Sequence, residues 1–396
     1  MNIVRSRVVV KFGGADLATW EKIQHAASLV INAPYIEKVV VVSAMGKATD
    51  NLLDTINQMG NVSDEDYAEI LSMGERTSAR VFCSALRILG AKAELFDPAD
   101  EKWPIITNSS FRNAKPDVEK TKMLVQQWVE PLLSEAIAVI GGFLGKSPTG
   151  RVTTLGRGGS DTTALLLARC LDAEEVILVK ETSGVLSADP RIVPNPDTLD
   201  SLDVHEMFDL AQGGAKIIKP ESLKHKLPNQ KLRIVNFASQ NLAAGGTEIT
   251  GSFNMNSAET ICQRNLLAIN VVCEVTAENL QHIFSVLSPK PIYGVSSGRR
   301  SLTIFTSDGN VREVLNRLHS SERFKAISHR ENVALIQVIH PKFVDSPGGV
   351  STISGILSKN GINIIEVTTS KATINVFIEE PQLRKATEAI SHVFET

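Results

Sequence analysis

The sequence contains few of the residues that mark disulfide-rich, metal-binding or nucleic-acid-binding proteins. Only four of its 396 residues are cysteine, and no two of them form a CxxC pair, so we expect free thiols in a reducing compartment. The formal net charge of −3 lacks the positive excess with which nucleic-acid-binding proteins neutralise phosphates. We therefore expect no nucleic-acid partner.

Long apolar runs are also absent. No run approaches the ~20 apolar residues that a membrane-spanning helix requires, so we expect no membrane association. The chain begins "MNIVRSRVVVKFGG", which passes directly into a strand-like run and lacks the pattern of a secretory signal peptide. These observations predict a cytoplasmic protein.

The sequence does contain a long alternation of strand-like and helix-like segments. A chain of 396 residues is longer than a single hydrophobic core ordinarily accommodates, so two or three domains are expected. Residues 1–250 alternate β-branched runs such as "KVVVVSAMG" with amphipathic stretches such as "EILSMGERTSARVFCSALRILG". This alternation predicts a three-layer αβα domain with a mostly parallel sheet. Ligands bind such sheets beyond the carboxyl ends of the strands.

The composition changes after residue 250. The stretch "AAGGTEITGSFNMNSAET" is small and polar, and we place a linker at residues 251–262. Beyond it the pattern β-α-β-β-α occurs twice, over residues 263–330 and 331–396, which predicts two α+β units. Because the second copy ends in its helix, a strand from elsewhere, such as "FKAISH", must complete one of the sheets. The two units are therefore predicted to be interleaved.

The segment "KFGG" places a cation beside bare backbone at the end of the first predicted strand. Lys11 precedes Gly13 and Gly14, so an ammonium group and exposed N–H groups meet at one point, an arrangement that suits phosphate oxygens. An ordinary turn is the alternative, because glycines often follow a strand for that reason alone.

The segment "TTLGRGGSDTTALLLA" places charges among glycines where a helix begins. The guanidinium group of Arg157 is planar and carries five N–H donors, a geometry that suits a carboxylate. Ser160 and Asp161 either cap the helix or, in the case of Asp161, orient a lysine or a metal-bound nucleotide.

Four further segments carry candidate site residues. They are Ser43 and Thr49 in "VVSAMGKATDNLLD", Glu75 in "SMGE", Lys216 in "GGAK", and Asp189 and Arg191 in "SADPR". The hydroxyls of Ser43 and Thr49 either bind a substrate carboxylate or cap a helix. For Glu75 the alternative is an ordinary surface position, where isolated glutamates are usually found. Lysines and an arginine beside glycine-rich strand ends indicate the handling of anions. The sequence has no HExxH motif. Its one GxSxG match, "GVSSG" at residues 294–298, lies between two strand-like runs rather than between a strand and a helix. We therefore predict no metal-ligand cluster and no serine hydrolase chemistry.

The order of these motifs resembles the amino-acid kinase superfamily and, within it, the aspartate kinases. The matching segments are "KFGG", "VVSAMGKATDNLL", "SMGE", "TTLGRGGSDTTA", "ADPR" and "GGAKII". The tandem units after residue 262 resemble the paired ACT domains of the same enzymes. The segment that carries this resemblance is "SPGGVSTISGILSKNGINI". The resemblance implies an amino-acid-kinase domain followed by two interleaved ferredoxin-like ACT domains, 263–330 and 331–396.

The resemblance also implies transfer of the γ-phosphoryl group of ATP, with Mg²⁺ brought by the nucleotide, to the β-carboxylate of L-aspartate. It assigns catalysis to Lys11, Asp161 and Lys216. It assigns nucleotide binding to Lys11, Gly13, Gly14, Lys180, Glu181, Asp189, Arg191 and Lys216. It assigns the binding of L-aspartate to Ser43, Thr49, Glu75, Phe143, Arg157 and Ser160. Arg157 would hold the α-carboxylate and Glu75 would face the ammonium group.

The chain departs from the family pattern at two places. Ala15 and Asp16 stand where the family usually has threonine and serine after "KFGG". Lys180 and Glu181 stand where it commonly has threonine and aspartate. We expect these differences to change nucleotide affinity or metal placement rather than the reaction class.

The second half is predicted to bind an amino-acid effector. Ser346 and Pro347 predict a helix start whose N–H groups would receive the carboxylate of the effector, although an ordinary capped helix is the alternative. The residues assigned to this site are Ser346, Gly348, Gly349, Val350, Asn363 and Ile364. Ile365 and Lys371 stand where lysine-sensitive relatives carry acids, so threonine or no effector is left open besides lysine. Pairing of ACT units predicts a homodimer.

Two other functions are left open by the sequence. One is an amino-acid kinase with a different acceptor, suggested by the two departures from the family pattern. The other is a non-catalytic amino-acid sensor that keeps the kinase fold as a platform for its ACT units.

Overall fold

The computed structural model describes residues 6–253, 258–307, 309–340, 343 and 347–394. The chain forms two compact units, Met1–Phe253 and Asn254–Thr396. None of the helices in the described part of the chain is both long and apolar enough to cross a membrane.

The first unit is built on an eight-stranded sheet. Its strands are β1 (Arg7–Phe12), β2 (Glu37–Val42), β3 (Ala93–Phe96), β4 (Ile137–Gly141), β7 (Glu175–Lys180), β8 (Ser201–Asp203), β9 (Lys231–Asn236) and β10 (Thr247–Thr250), and a separate hairpin pairs β5 (Leu144–Lys146) with β6 (Val152–Thr154). The strand order is β3-β4-β2-β1-β7-β9-β10-β8, and β10 runs antiparallel to β9 whereas the other pairs are parallel. The predicted, mostly parallel sheet is confirmed.

Helices cover this sheet. They are α1 (Trp20–Asn32), α2 (Ala48–Met59), α3 (Asp64–Ile88), α4 (Val118–Leu124), α5 (Gly159–Cys170) and α6 (Val204–Gln212), with a π-helical turn at Val125–Val129 and 3₁₀ turns at Ala15–Leu17, Glu130–Leu132 and Pro220–His225. Val8, Val10 and Phe12 pack with α1 and α3 in one apolar cluster. Because side chains alternate along a strand, Lys11 lies on the opposite face of β1, where it meets α5.

The described residues of the second unit include a six-stranded antiparallel sheet and the α-helices that pack with it. The elements are β11 (Glu259–Val272), α7 (Ala277–Leu287), β12 (Ile292–Ser297), β13 (Ser301–Ser307), α8 (Val311–His319), β14 (Ala326–Ile339), α9 (Gly349–Lys359), β15 (Ile364–Ser370), β16 (Thr373–Glu379) and α10 (Leu383–Phe394). The strand order is β12-β13-β11-β14-β16-β15.

The two long strands, β11 and β14, each serve both halves of this unit. The end of β11 pairs with β13 and with the start of β14, and the start of β11 pairs with the end of β14, which in turn pairs with β16. Each strand contains an asparagine with positive φ at the crossover, Asn265 (54°) and Asn332 (56°), a conformation that asparagine tolerates better than most residues. "FKAISH" therefore completes the first half, and the predicted interleaving is confirmed.

Three predicted boundaries of the second half are wrong. The linker at 251–262 overlaps β11, which starts at Glu259 because its first residues are needed to complete the sheet of the second half. The division between 330 and 331 falls inside β14, which belongs to both halves. Helix α9 starts at Gly349 with Gly348 as its N-cap residue, so Pro347 lies outside the helix. Ser346 lies outside the described residues.

Candidate active site

Two lysines and one aspartate meet at the carboxyl edge of the first sheet. Lys11 ends β1 together with Phe12, Lys180 ends β7, and Asp161 lies in the first turn of α5. The Nζ atom of Lys11 is 2.8 Å from Oδ1 of Asp161, and the Nζ atom of Lys180 is 3.5 Å from Oδ2. From the sequence, Asp161 is expected to orient a lysine or a metal-bound nucleotide, and the structure places both Lys11 and Lys180 on its carboxylate.

The charges of this cluster determine the protonation of its members. Burial alone would raise the pKa of Asp161, but the ammonium groups of Lys11 and Lys180 outweigh it and lower that pKa to about 2. Burial lowers the pKa of Lys180 to about 8, against the opposing effect of Asp161 and with a contribution from the positive charge of Lys11. Asp161 is therefore an anion throughout the neutral pH range, and the ammonium group of Lys180 loses its proton just above that range.

The glycines of the opening loop allow α5 to begin at this point. Gly158 is the N-cap residue, its φ of 71° is left-handed, and no side chain caps the helix. A Cβ atom at Gly158 would lie 2.8 Å from Cβ of Lys219. The expectation that Ser160 or Asp161 caps the helix is therefore wrong. Because the backbone of Gly158 starts the helix, both side chains remain available to the site.

A cavity of about 510 Å³ adjoins the lysine–aspartate cluster. The predicted residues that line it are Lys11, Gly14, Ser43, Thr49, Glu75, Phe143, Arg157 and Ser160. The hydroxyls of Ser43 and Ser160 are 3.0 Å apart. All six residues assigned to L-aspartate therefore share one cavity with Lys11.

Glu75 is a buried acid with one oxygen unpaired. It is 4% exposed, its Oε1 accepts a hydrogen bond of 3.2 Å from the backbone N–H of Ala44, and its Oε2 has no hydrogen-bond partner. Burial raises the pKa of Glu75 to about 7, although Ala44 and Lys11 act in the other direction. The alternative of an ordinary surface glutamate is therefore wrong, and the residue lines the cavity with one carboxylate oxygen unsatisfied.

Several predicted nucleotide residues lie outside this cavity. Lys216 is exposed on a turn after α6. The backbone N–H of Lys219, from the same segment, hydrogen-bonds Asp161. Asp189 and Arg191 pair with each other at 2.7 Å. Glu181 is exposed and lies 3.8 Å from Nζ of Lys22.

The backbone N–H of Gly13 is already engaged. It donates to Oδ2 of Asp16 at 3.0 Å, so it does not point freely at a phosphate. Gly14 approaches its neighbours closely, because an added Cβ would lie 2.6 Å from the carbonyl oxygen of Ala44. Asp16, one of the two residues that depart from the family pattern after "KFGG", therefore occupies the N–H of Gly13.

Sequence reasoning did not single out Tyr67 and Arg112, which also line the cavity. The guanidinium of Arg112 lies 4.3 Å from the ring centroid of Tyr67 and pairs with Asp64 at 2.7 Å. The only sequence signal was a cation within the loop "SSFRNAK", which has no regular period to place it.

A larger cavity of about 630 Å³ lies elsewhere in the first unit. Its charged walls are satisfied internally: Arg151 pairs with Glu65 at 2.7 Å, and Arg76 pairs with Glu69 at 3.1 Å. The smaller cavity is the better candidate for chemistry because it contains Lys11 and the unsatisfied Glu75.

The described residues fit a metal that arrives with a nucleotide. They contain no group of three or more His, Cys, Asp or Glu side chains that could hold a metal, and Asp161 is occupied by two ammonium groups. Mg²⁺ commonly binds through substrate phosphates with few protein ligands. ATP fits the same edge, where two ammonium groups flank glycine-rich backbone.

Comparisons with known proteins agree with this geometry. Residues 6–236 match the model of the amino acid kinase family, and residues 328–392 match an ACT domain model. An aspartokinase from Mycolicibacterium smegmatis is 30% identical over 98% of this chain and 96% of its own length.

Solved structures share the fold. Aspartate kinase from Synechocystis matches with a TM-score of 0.74 at 23% identity, over 98% of this chain and 70% of that chain. Aspartokinase III of E. coli, in complex with aspartate and ADP, matches with a TM-score of 0.58 at 22% identity, over 97% of this chain and 98% of that chain.

Proposed function

Because the chain belongs to the amino acid kinase family and, within it, to the aspartokinases, we propose that it phosphorylates the β-carboxylate of L-aspartate with ATP. The observation that carries this proposal is a single cavity in which Lys11, Arg157 and the unsatisfied Glu75 lie together. Cations for phosphate and for a carboxylate, and an anion for an ammonium group, are the complement of an amino-acid substrate beside a nucleotide.

The aspartate end of the site would hold the substrate by charge. Arg157 binds the α-carboxylate in a two-pronged contact, and Oε2 of Glu75 accepts from the ammonium group. Phe143 forms the wall, and Ser43, Thr49 and Ser160 position the substrate with their hydroxyls. The E. coli relative was solved with aspartate and ADP, which supports this choice of substrates.

The nucleotide end would supply charge stabilisation. Lys11 neutralises the transferring phosphoryl group, while Asp161 fixes the position of Lys11. Mg²⁺, held by the ATP phosphates, adds positive charge there. Lys180 and the backbone of Gly14 lie at the same edge, and Lys216, Glu181, Asp189 and Arg191 remain nucleotide contacts to be tested.

The reaction needs no general base from the protein. A side-chain carboxylate with an ordinary pKa of about 3.9 is ionised at neutral pH, so its oxygen attacks the γ-phosphorus directly. The bond from the γ-phosphorus to the bridging oxygen breaks, and ADP leaves with the electron pair. Positioning and electrostatic stabilisation then account for catalysis.

A direct assay tests the proposal. The protein is incubated with ATP, Mg²⁺ and L-aspartate, and the acyl phosphate is trapped with hydroxylamine. We expect aspartyl hydroxamate, and we expect Lys11→Ala to abolish it while the circular dichroism spectrum is unchanged. ATP binding without any hydroxamate from aspartate would favour another acceptor, and amino-acid binding without phosphoryl transfer to any acceptor would indicate a sensor.

The second unit supports a regulatory proposal. An amino-acid effector would bind near the N-terminus of α9, at Gly348, Gly349 and Val350, together with Asn363 and Ile364. The E. coli relative was also solved with lysine and aspartate, so we propose titration with lysine and with threonine by calorimetry. A homodimer is tested by light scattering. We further propose a cytoplasmic location, where ATP is available and the four free cysteines would stay reduced.

A further inference from the structure

Asp16 and Lys180 are distant in sequence but lie at the same edge of the first sheet. Strands β1 and β7 are parallel neighbours, with Phe12 opposite Val179. The turn after β1 and the last residue of β7 therefore reach the same side of the site. Asp16 is 2% exposed, and the side chain of Lys180 is 21% exposed.

The carboxylate of Asp16 is held at one oxygen and unsatisfied at the other. Its Oδ2 accepts from the N–H of Gly13 at 3.0 Å, and its Oδ1 is buried without a hydrogen-bond partner. Burial raises the pKa of Asp16, and the charge of Glu181 adds to that rise, whereas the N–H of Gly13 and the charges of Lys11 and Lys180 oppose it. The two lysines therefore favour the anionic form of Asp16 against the effect of burial.

Lys180 is the more loosely held partner of Asp161. Its Nζ is 3.5 Å from both carboxylate oxygens, whereas Lys11 approaches to 2.8 Å. The neighbouring acid, Glu181, is directed towards Lys22, which also donates to the carbonyl of Ala15 at 2.8 Å.

We propose that Asp16 and Lys180 are a matched pair at the phosphate end of the site. Lys180 moves from Asp161 to contact the phosphates when ATP binds, and Asp16 is a positioning residue that offsets the second ammonium group while the site is empty. With Lys11 and Asp161 they bring two amino groups and two carboxyl groups to this edge of the sheet. This inference rests on the proposed function, because it requires nucleotide phosphates beside Lys11.

Calorimetric titration with ATP, in the absence of aspartate, tests the pair. We expect Lys180→Met to weaken ATP binding about tenfold, as expected for loss of one charge-assisted contact. We expect Asp16→Asn, which retains an acceptor for the N–H of Gly13, to tighten binding about threefold, since one nearby negative charge is removed. The double variant should lie between the single variants. Lys180→Arg is the matched control and should bind ATP nearly as the unaltered protein does.

The pH dependence of ATP binding separates this role from a merely structural one. Because the pKa of Lys180 is about 8, ATP affinity of the unaltered protein should fall between pH 7 and pH 9. The groups that act on this lysine are Asp161 from α5, Lys11 from β1 and Asp16 from the turn after β1. The decline should be absent in Lys180→Met and in Lys180→Arg.

Four results would overturn the inference. Unchanged ATP affinity in Lys180→Met would make Lys180 structural only. If Asp16→Asn bound Mg²⁺–ATP more weakly than the unaltered protein but bound ATP in EDTA equally well, Asp16 would be a metal ligand. A pH profile that persists in Lys180→Met would assign the titration to another group. Failure of the unaltered protein to bind ATP would overturn the proposed function as well, whereas hydroxamate formation with any of the first three results would leave that function intact.

Discussion

Replacing Glu75 with glutamine should stabilise the empty protein above neutral pH. Its pKa rises from the usual 4.5 to about 7 because the group is buried, and each pKa unit is worth about 1.4 kcal/mol. Between pH 4.5 and 7 the folded protein retains a proton that the unfolded chain releases, so stability falls as pH rises through this window. Glu75→Gln lacks this titration. It should be more stable than the unaltered protein by up to about 3 kcal/mol at pH 8, and the difference should disappear as pH falls to 4.5.

Guanidinium unfolding followed by tryptophan fluorescence measures this difference. All three tryptophans belong to the first unit, so the signal reports on the unit that contains Glu75. Glu37→Gln is a matched control, because Glu37 is 3% exposed but pairs with Arg7 at 2.6 Å. Its loss should destabilise the protein at pH 8, since it leaves a buried guanidinium without that partner. Equal stabilities of Glu75→Gln and the unaltered protein at pH 8 would refute the reasoning.

Three further substitutions test the site. Arg157→Ala should raise the KM for aspartate by about 10- to 100-fold with little change in kcat, since a charge-assisted contact of about 1.5–3 kcal/mol is lost; an unchanged KM in steady-state kinetics would exclude the residue from substrate binding. Asp161→Asn should lower stability by about 2 kcal/mol at neutral pH, because a pKa depressed to about 2 stabilises the fold above the usual value and this contribution is lost as pH falls through the depressed one. Denaturation should give the full difference at pH 7 and only about half of it at pH 3, which lies between the usual and the depressed pKa. Gly158→Ala should cost at least about 1–2 kcal/mol for its left-handed φ, and it should displace α5 and reduce hydroxamate formation. A fully active Gly158→Ala variant would show that the start of α5 tolerates a Cβ atom.

The parts of the site that could be predicted from sequence lie in short motifs at strand ends. "KFGG" and "GRGGSD" each fix several residues by local geometry, and parallel strands bring their carboxyl ends to one edge of the sheet. The pairing of Lys11 with Asp161 follows from these two facts. The contribution of Lys180 could not be predicted, because it depends on the length and direction of a side chain from a third element.

The burial of Glu75 depends on a close approach that the sequence does not reveal. Helix α3 can approach the loop after β2 because residue 74 is a glycine, at which an added Cβ would lie 2.8 Å from Cβ of Ala44. This contact brings Glu75 to the N–H of Ala44. A similar limitation explains the helix start at Gly349, where a serine and a proline offered a good local signal but the observed N-cap is Gly348.

The two buried acids of the cavity region show how the site divides its charges. Glu75 and Asp161 are both 4% exposed, yet the pKa of one is about 7 and that of the other is about 2. Because burial acts on both, the difference comes chiefly from the ammonium groups of Lys11 and Lys180, which contact Asp161 directly, whereas Lys11 is the smallest of the influences on Glu75. The nucleotide end is thus compensated before any ligand binds, whereas the aspartate end carries an acid that becomes a stable anion only when a cation reaches Oε2. A dicarboxylic acid without an ammonium group, such as succinate, would leave Glu75 uncompensated, so the energetic cost of burying this acid selects for an amino acid.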